Sequence, residues 1–238
     1  MPERLAAHIV LSCRDNKNMK TQLLSLNVSP EIGNVSAELI APDQPVCVMT
    51  LAHGAGAGMN HEFMLRISGA LAEKDIATLR FNFPFIEKQK RRPDSPAIAH
   101  KAIEAAIRKP RELFFDLPVF ASGKSFGGRM SSQYLAGQPA TDVKGIIFFG
   151  FPLHPSGKPA TDRAEHLKNV AVPMLFLQGT RDELASYALI EEVCASLPSA
   201  SLVTIEGANH AFKAGKQDLI PVLANATRIW IEQIIKSS

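Results

Sequence analysis

The chain predicts an α/β fold: a mostly parallel, doubly wound sheet of about eight strands with an antiparallel start, helices on both faces, and little or no lid. Three observations predict it. Unbroken apolar runs such as Val46 to Ala52 and Val143 to Phe151, as expected of strands buried on both faces, alternate with segments of helical apolar period. Within the stretch Pro118 to Met130, PVFASGKSFGGRM, an apolar strand runs into a glycine-flanked serine and then a helix. An acid and a histidine follow directly after two later strands.

Residues 1–20 have no clear period and read as an N-terminal extension, either mobile or lying ahead of a translation start at Met19. The remainder, 21–238, reads as one domain. Gln22 to Val28 and Val35 to Ala41 alternate apolar and polar residues around Pro30 and Gly33, which predicts an antiparallel pair. Val46 to Ala52 is a buried strand that discharges into His53-Gly54-Ala55-Gly56-Ala57-Gly58. Phe63, Ile67, Ala70 and Leu71 mark a helix to about Lys74, and Ile76 to Phe83 is the next strand. A loop from Glu87 to Pro96 carries Lys88, Lys90, Arg91 and Arg92, and a helix spans Pro96 to Arg108 before the serine strand. Val143 to Phe151 is a strand, and Pro152 to Val170 a polar connection with a short helix around Arg163 to Leu167. Val172 to Gln178 and Ser201 to Ile205 are strands, with helices over Leu184 to Leu197 and Gln217 to Ile235. Ligands on such sheets bind at the carboxyl ends of the strands.

The composition excludes several classes. With 46% hydrophobic and 21% charged residues the chain is globular rather than disordered, and a formal charge of +3 is too small to imply nucleic acid. Its 238 residues suit a single core. Cys13, Cys47 and Cys194 are odd in number and lack metal-ligand spacing, so neither a disulfide framework nor a zinc site is expected, and a reducing cytoplasm fits. No segment approaches the ~20 apolar residues of a membrane span, so no membrane partner is expected.

Gly123 to Gly127 spell GxSxG, in which the serine occupies a strained strand-to-helix turn and the glycines let the backbone fold back closely. The Gly-Lys-Ser within it is not a phosphate loop, because GxxxxGK[ST] needs glycine where Pro118 stands. HGAGAG likewise misses the dinucleotide GxGxxG, since Met59 takes the place of the last glycine. Asp182 follows the strand ending at Gln178, and His210 follows the strand ending at Ile205, so both emerge at the same sheet edge as Ser125. The order Ser, Asp, His is that of one of the three known triad arrangements. Glu183 and Glu206 are weaker alternatives for the acid.

On these residues, nearly all of Gln22 to Ser238 resembles an α/β-hydrolase, similar in size to lid-poor serine hydrolases related to dienelactone hydrolase. HGAGAGMNHEF, LRFNFPF, GKSFGGRM, FPLHP, GTRDEL and ANHAF narrow the resemblance. Together they are similar to the hydrolase-like domain of bacterial predicted hydrolases, an animal testis-expressed protein and a chromatin-complex subunit. The resemblance implies Ser125 as nucleophile, His210 as its base and Asp182 as the group that holds the imidazole. Acyl transfer also needs donors for an oxyanion, expected from the amide of Phe126 and from that of Ala55, with Gly56 the alternative. His53 is expected to order its loop. His154 is a candidate for facing the substrate, or else a surface loop residue, and Arg91 and Arg92 are candidates for attracting an anionic group. His8, His61, His100 and His166 are assigned no role.

The expectation is therefore a cytoplasmic serine hydrolase of a small-molecule ester, thioester or similar acyl substrate, working without metal or cofactor. A non-catalytic scaffold of the same fold is the rival, and a peptidase is less favoured. Substrate identity and oligomeric state are not legible in the sequence.

Overall fold

A computed structural model describes residues 19–237, so the expected N-terminal extension falls almost wholly outside the described residues. In chain order the first half comprises β1 (Met19–Ser29), β2 (Gly33–Pro42), β3 (Cys47–Ala52), α1 (Glu62–Ala72), β4 (Ile76–Phe81), the single turn α2 (Pro84–Glu87) and α3 (Pro96–Leu113). The second comprises β5 (Val119–Lys124), α4 (Phe126–Ala136), β6 (Val143–Phe149), a 3-10 helix (Asp162–Asn169), β7 (Met174–Gly179), α5 (Tyr187–Ala195), β8 (Ala200–Ile205) and α6 (Ile220–Ser237). One 8-stranded sheet runs in the order β1-β2-β4-β3-β5-β6-β7-β8. The β1/β2 and β2/β4 pairs are antiparallel and the rest parallel.

Burial explains why the strands read as they do. All six residues of β3, β4 and β7 are buried, so no alternation survives in them. β2 alternates, with Val35, Ala37, Leu39 and Ala41 inward, because its other face is partly open. At the edges β1 leaves Leu23 76% exposed and β8 buries only Ile205. One face of the sheet packs on α1 and α6 through Met64, Ile67, Leu223 and Trp230. The other packs on α3, α4 and α5 through Ile103, Met130 and Ile190. Among the described residues no helix is long and apolar enough to cross a membrane.

Element ends differ from expectation where a side chain takes a backbone donor. The expected helix start at Leu184 moves to Tyr187, because the Leu184 amide donates to Asp182 Oδ1 at 2.8 Å. The last helix begins at Ile220, whose amide donates to Asp218 Oδ1 at 3.1 Å. β4 stops at Phe81 and the chain turns through α2, with proline in its first turn.

The loop after β3 is held by two buried side chains, His53 and Arg80, and by the half-buried Asn82. His53 is wholly buried; its Nδ1–H donates to the Gly54 carbonyl at 2.8 Å and its Nε2 accepts the Phe83 amide at 3.0 Å. Arg80, also fully buried, donates to the Met59 carbonyl at 2.8 Å and pairs with Glu38, its direct cross-strand partner in β2. Asn82 Oδ1 accepts the Met59 amide at 2.8 Å, so both backbone groups of Met59 are satisfied from β4 and its end.

Two outcomes follow. Arg80→Met leaves the Glu38 carboxylate, 17% exposed, without its cation, and should cost ~3–5 kcal/mol, lowering the thermal midpoint by about 10 °C in a melting experiment. Burial holds His53 down at about 4. The unfolded imidazole, at about 6.5, therefore binds a proton that the folded one refuses, and stability present above pH 6.5 is lost as pH falls toward 4. Urea unfolding should show roughly 2 kcal/mol less stability at pH 5 than at pH 7 from this group, and His53→Gln should flatten that slope.

Candidate active site

Ser125 stands alone between β5 and α4 with φ 52° and ψ −116°, in the left-handed region where a residue with a side chain is strained by ~1–3 kcal/mol. The glycines around it are steric necessities. A Cβ on Gly123 would lie 2.3 Å from the Gly128 nitrogen, and one on Gly127 would lie 2.4 Å from the Ala52 carbonyl oxygen. Bare backbone thus lets the start of α4 press against the ends of β3 and β5, with the hydroxyl projecting from the bend.

Three side chains then form one hydrogen-bonded line. Ser125 Oγ and His210 Nε2 are 2.8 Å apart, and His210 Nδ1 is 2.8 Å from Asp182 Oδ2 and 3.0 Å from Oδ1. A carboxylate on Nδ1 places the ring proton there, which leaves Nε2 free to accept from the hydroxyl. The Asp182 side chain is 1% exposed and His210 14%, so the acid is enclosed and the base meets solvent at one edge.

Further partners fix each member. Asp182 Oδ2 accepts from Gln178 Nε2 at 2.6 Å, while Gln178 Oε1 accepts the Phe151 amide at 2.9 Å; Gln178 is fully buried. The glutamine was not singled out in the sequence, and its one signal is a polar residue closing an otherwise apolar strand. The loop after β8 is shaped by Asn209, whose Oδ1 accepts the Ala211 and Lys213 amides, each at 3.0 Å. A Cβ on Gly179 would meet the Ala208 carbonyl oxygen at 2.2 Å, so this loop lies directly on the end of β7. Glu183 Oε2 accepts the His210 amide at 3.2 Å, and Glu206 accepts from Thr180 Oγ1 at 3.3 Å. Neither alternative acid bonds the imidazole.

Above the serine, the Phe126 amide opens α4, where backbone donors have no partner in the helix. The ring of Phe126 packs edge-on to Phe83 and Phe85. A Cβ on Gly54 would lie 3.8 Å from Ser125 Cβ, so the loop after β3 borders the hydroxyl. Ala55 and Gly56 are exposed on that loop, and no described residue engages either amide.

The remaining candidates lie elsewhere. His154 is 4% exposed; its Nδ1–H donates to the Pro155 carbonyl at 2.8 Å and its Nε2 accepts the Ser186 amide at 2.7 Å. With both nitrogens committed to backbone, His154 braces two loops and is neither a substrate-facing group nor a surface residue. Arg91 and Arg92 are exposed on the loop between α2 and α3, and neither bonds Ser125, Asp182 or His210. Lys124, unassigned in the sequence reading, donates from Nζ to the His210 carbonyl at 2.5 Å. A cavity of about 450 Å³ opens beside the His210 loop between the start of α1 and residues Ala211 to Ile220; Ser125 does not line it.

The fold that carries these residues has known counterparts. A family model described as "Alpha/beta hydrolase domain" matches residues 45–230. A dienelactone hydrolase from Anabaena variabilis is similar at 20% identity and TM-score 0.72, covering 90% of this chain and 98% of its own. Est1E from Butyrivibrio proteoclasticus is similar at 16% identity and TM-score 0.70, with coverage of 90% and 99%. XC6422 from Xanthomonas campestris, described as an α/β serine hydrolase without lid, is similar at 21% identity and TM-score 0.70, with coverage of 89% and 95%. At such identities these structures speak for the fold, and the family model, spanning most of the sequence, shows that the chain belongs to the α/β hydrolase domain family.

Proposed function

We propose that the chain is a serine hydrolase that cleaves the ester, thioester or similar acyl bond of a small or polar substrate. The observation that carries this reading is the unbroken line Ser125 Oγ, His210 imidazole, Asp182 carboxylate, set at a strained elbow. A serine hydroxyl is a weak nucleophile near neutral pH, and a base within hydrogen-bond reach supplies what it lacks.

In the proposed reaction Ser125 Oγ attacks the acyl carbon while its proton passes to His210 Nε2. Asp182 offsets the charge on the imidazolium, and Gln178 and the Leu184 amide keep Asp182 in place. The electron pair displaced from the carbonyl forms an oxyanion facing the Phe126 amide and one amide of the loop after β3, Ala55 or Gly56. Each such donor is worth roughly 10²–10³ in rate. Collapse expels the alcohol or thiol leaving group with the proton from His210. Water then repeats the sequence on the acyl-enzyme, releasing the acid and restoring Ser125. The connection after β6 holds only a 3-10 helix, which supports an open cleft and so a small substrate or the tip of a larger one.

A fluorophosphonate probe should label the wild type and fail to label Ser125→Ala. In a chromogenic ester assay Ser125→Ala and His210→Ala should each lose about 10⁶-fold in kcat, and Asp182→Asn about 10⁴-fold. A folded wild type that neither labels nor turns over any member of an ester and thioester panel would overturn the proposal in favour of a non-catalytic scaffold.

A further inference from the structure

We propose that Lys124 is a positioning residue for His210: its ammonium, seated against Phe63 and Phe212 and bonded to the His210 carbonyl, clips the histidine loop to the strand that carries Ser125. This inference rests on the hydrolase reading for its kinetic consequences, and on geometry alone for the clip itself.

The sheet order creates the need. Ser125 follows β5 and His210 follows β8, with β6 and β7 lying between them, so no ladder hydrogen bond can join the two ends. A long side chain can. Lys124 is the last residue of β5, and its Nζ reaches the His210 carbonyl at 2.5 Å. It crosses the end of β6 through a notch left by Gly150, whose φ of 73° also favours glycine. A Cβ there would lie 3.1 Å from Lys124 Nζ and 3.6 Å from both Asp182 Oδ2 and His210 Cε1. The ammonium, the acid and the imidazole thus converge on one bare position.

The surroundings suit a cation. Nζ lies 5.8 Å from the centroid of Phe63, on α1, and 5.1 Å from that of Phe212, in the histidine loop itself. The two rings stack on each other, so Phe212 is held by Phe63 as well as by the ammonium. The charged groups facing the ammonium are Asp182 and Glu183, from the turn after β7, and no described carboxylate forms an ion pair with it. Burial pushes the lysine down to about 8, and the two carboxylates hold it up against that effect. A lysine that burial discharges more readily is a cost to the fold, which separates its use from simple stabilisation.

The test compares wild type, Lys124→Met, which keeps the reach and loses the donor, and Lys124→Cys treated with 2-bromoethylamine, which rebuilds an ammonium at the same reach. Of the three native cysteines, Cys47 and Cys194 are buried with thiols pushed up to about 12 and so resist this reagent, and treated wild type is the control for them and for Cys13. With p-nitrophenyl acetate, Lys124→Met should lose about tenfold in kcat at pH 7 with KM within twofold, and should unfold at no lower temperature than wild type. Wild-type kcat should fall as pH rises through about 8, where the ammonium discharges, and the variant should lack that fall. Aminoethylation should restore most of kcat. Wild-type kcat in Lys124→Met, a drop in its melting temperature that accounts for the loss, or no recovery in Lys124→Cys once mass spectrometry confirms aminoethylation at position 124 would overturn the proposal. Hydrogen exchange needs no turnover: amides 209–213 should exchange at least tenfold faster in Lys124→Met while β5 is unchanged. Equal exchange would overturn the clip, and an inactive wild type with the expected exchange would sink only the hydrolase reading.

Discussion

The contact between Gly127 and the Ala52 carbonyl governs the geometry of the whole sheet edge. Any side chain at Gly127 would put carbon 2.4 Å from that oxygen, so only glycine lets α4 begin against the end of β3. Because it does, the orphan donors at the start of α4 and the loop that leaves β3 open onto one space. Ser125, at positive φ on the same bend, directs its hydroxyl to His210 Nε2. Strain at the elbow is tolerated because β5 is buried and paired on both sides.

Around this edge the protein uses buried and half-buried polar side chains as substitutes for missing backbone partners. His53, His154, Gln178 and Asn82 each satisfy amides or carbonyls of loops that the sheet cannot reach. The two histidines can do so only as neutral rings, donating at one nitrogen and accepting at the other. For His53 burial enforces that state. Loops at the carboxyl ends are thus tied to the strands through side chains, as the proposed alignment of Ser125, His210 and Asp182 requires.

The fold was legible because interior strands of a parallel sheet are buried on both faces, so their sequences are unbroken apolar runs separated by helical periods. Val46 to Ala52 and Val143 to Phe151 needed nothing else to read as strands, although the first begins at Cys47 and the second ends at Phe149. Boundaries were less so, since Asp182 and Asp218 each capture an amide that the hydrophobic pattern assigns to a helix. Ser125, Asp182 and His210 stood out because each follows a strand directly, in a known order. The residues that hold them did not. Arg80 looks like an interruption in an apolar run until the register places Glu38 opposite it. Gln178 and His154 become meaningful only once Phe151 and Ser186, distant in sequence, are brought to their polar atoms. The narrower likeness to the testis-expressed and chromatin-associated group rests on the motifs alone.

Lys124 shows most plainly why positioning groups escape a linear reading. In sequence it is the first of the two unspecified residues of a GxSxG pentapeptide, and a lysine at a strand end is ordinarily solvated. Its distinguishing feature is a direction: across the end of β6, where Gly150 has no side chain, toward a carbonyl 86 residues away. An apolar residue would fit the burial better and would leave, among the described hydrogen bonds, the one between the side chains to join His210 to the Ser125 elbow. That bond must break and re-form if the serine proton is transferred, so a second tether independent of it keeps the imidazole in place when the first is absent. A cation serves as that tether because a carbonyl and two aromatic faces all attract it, and none of the three exchanges a proton with the reacting atoms.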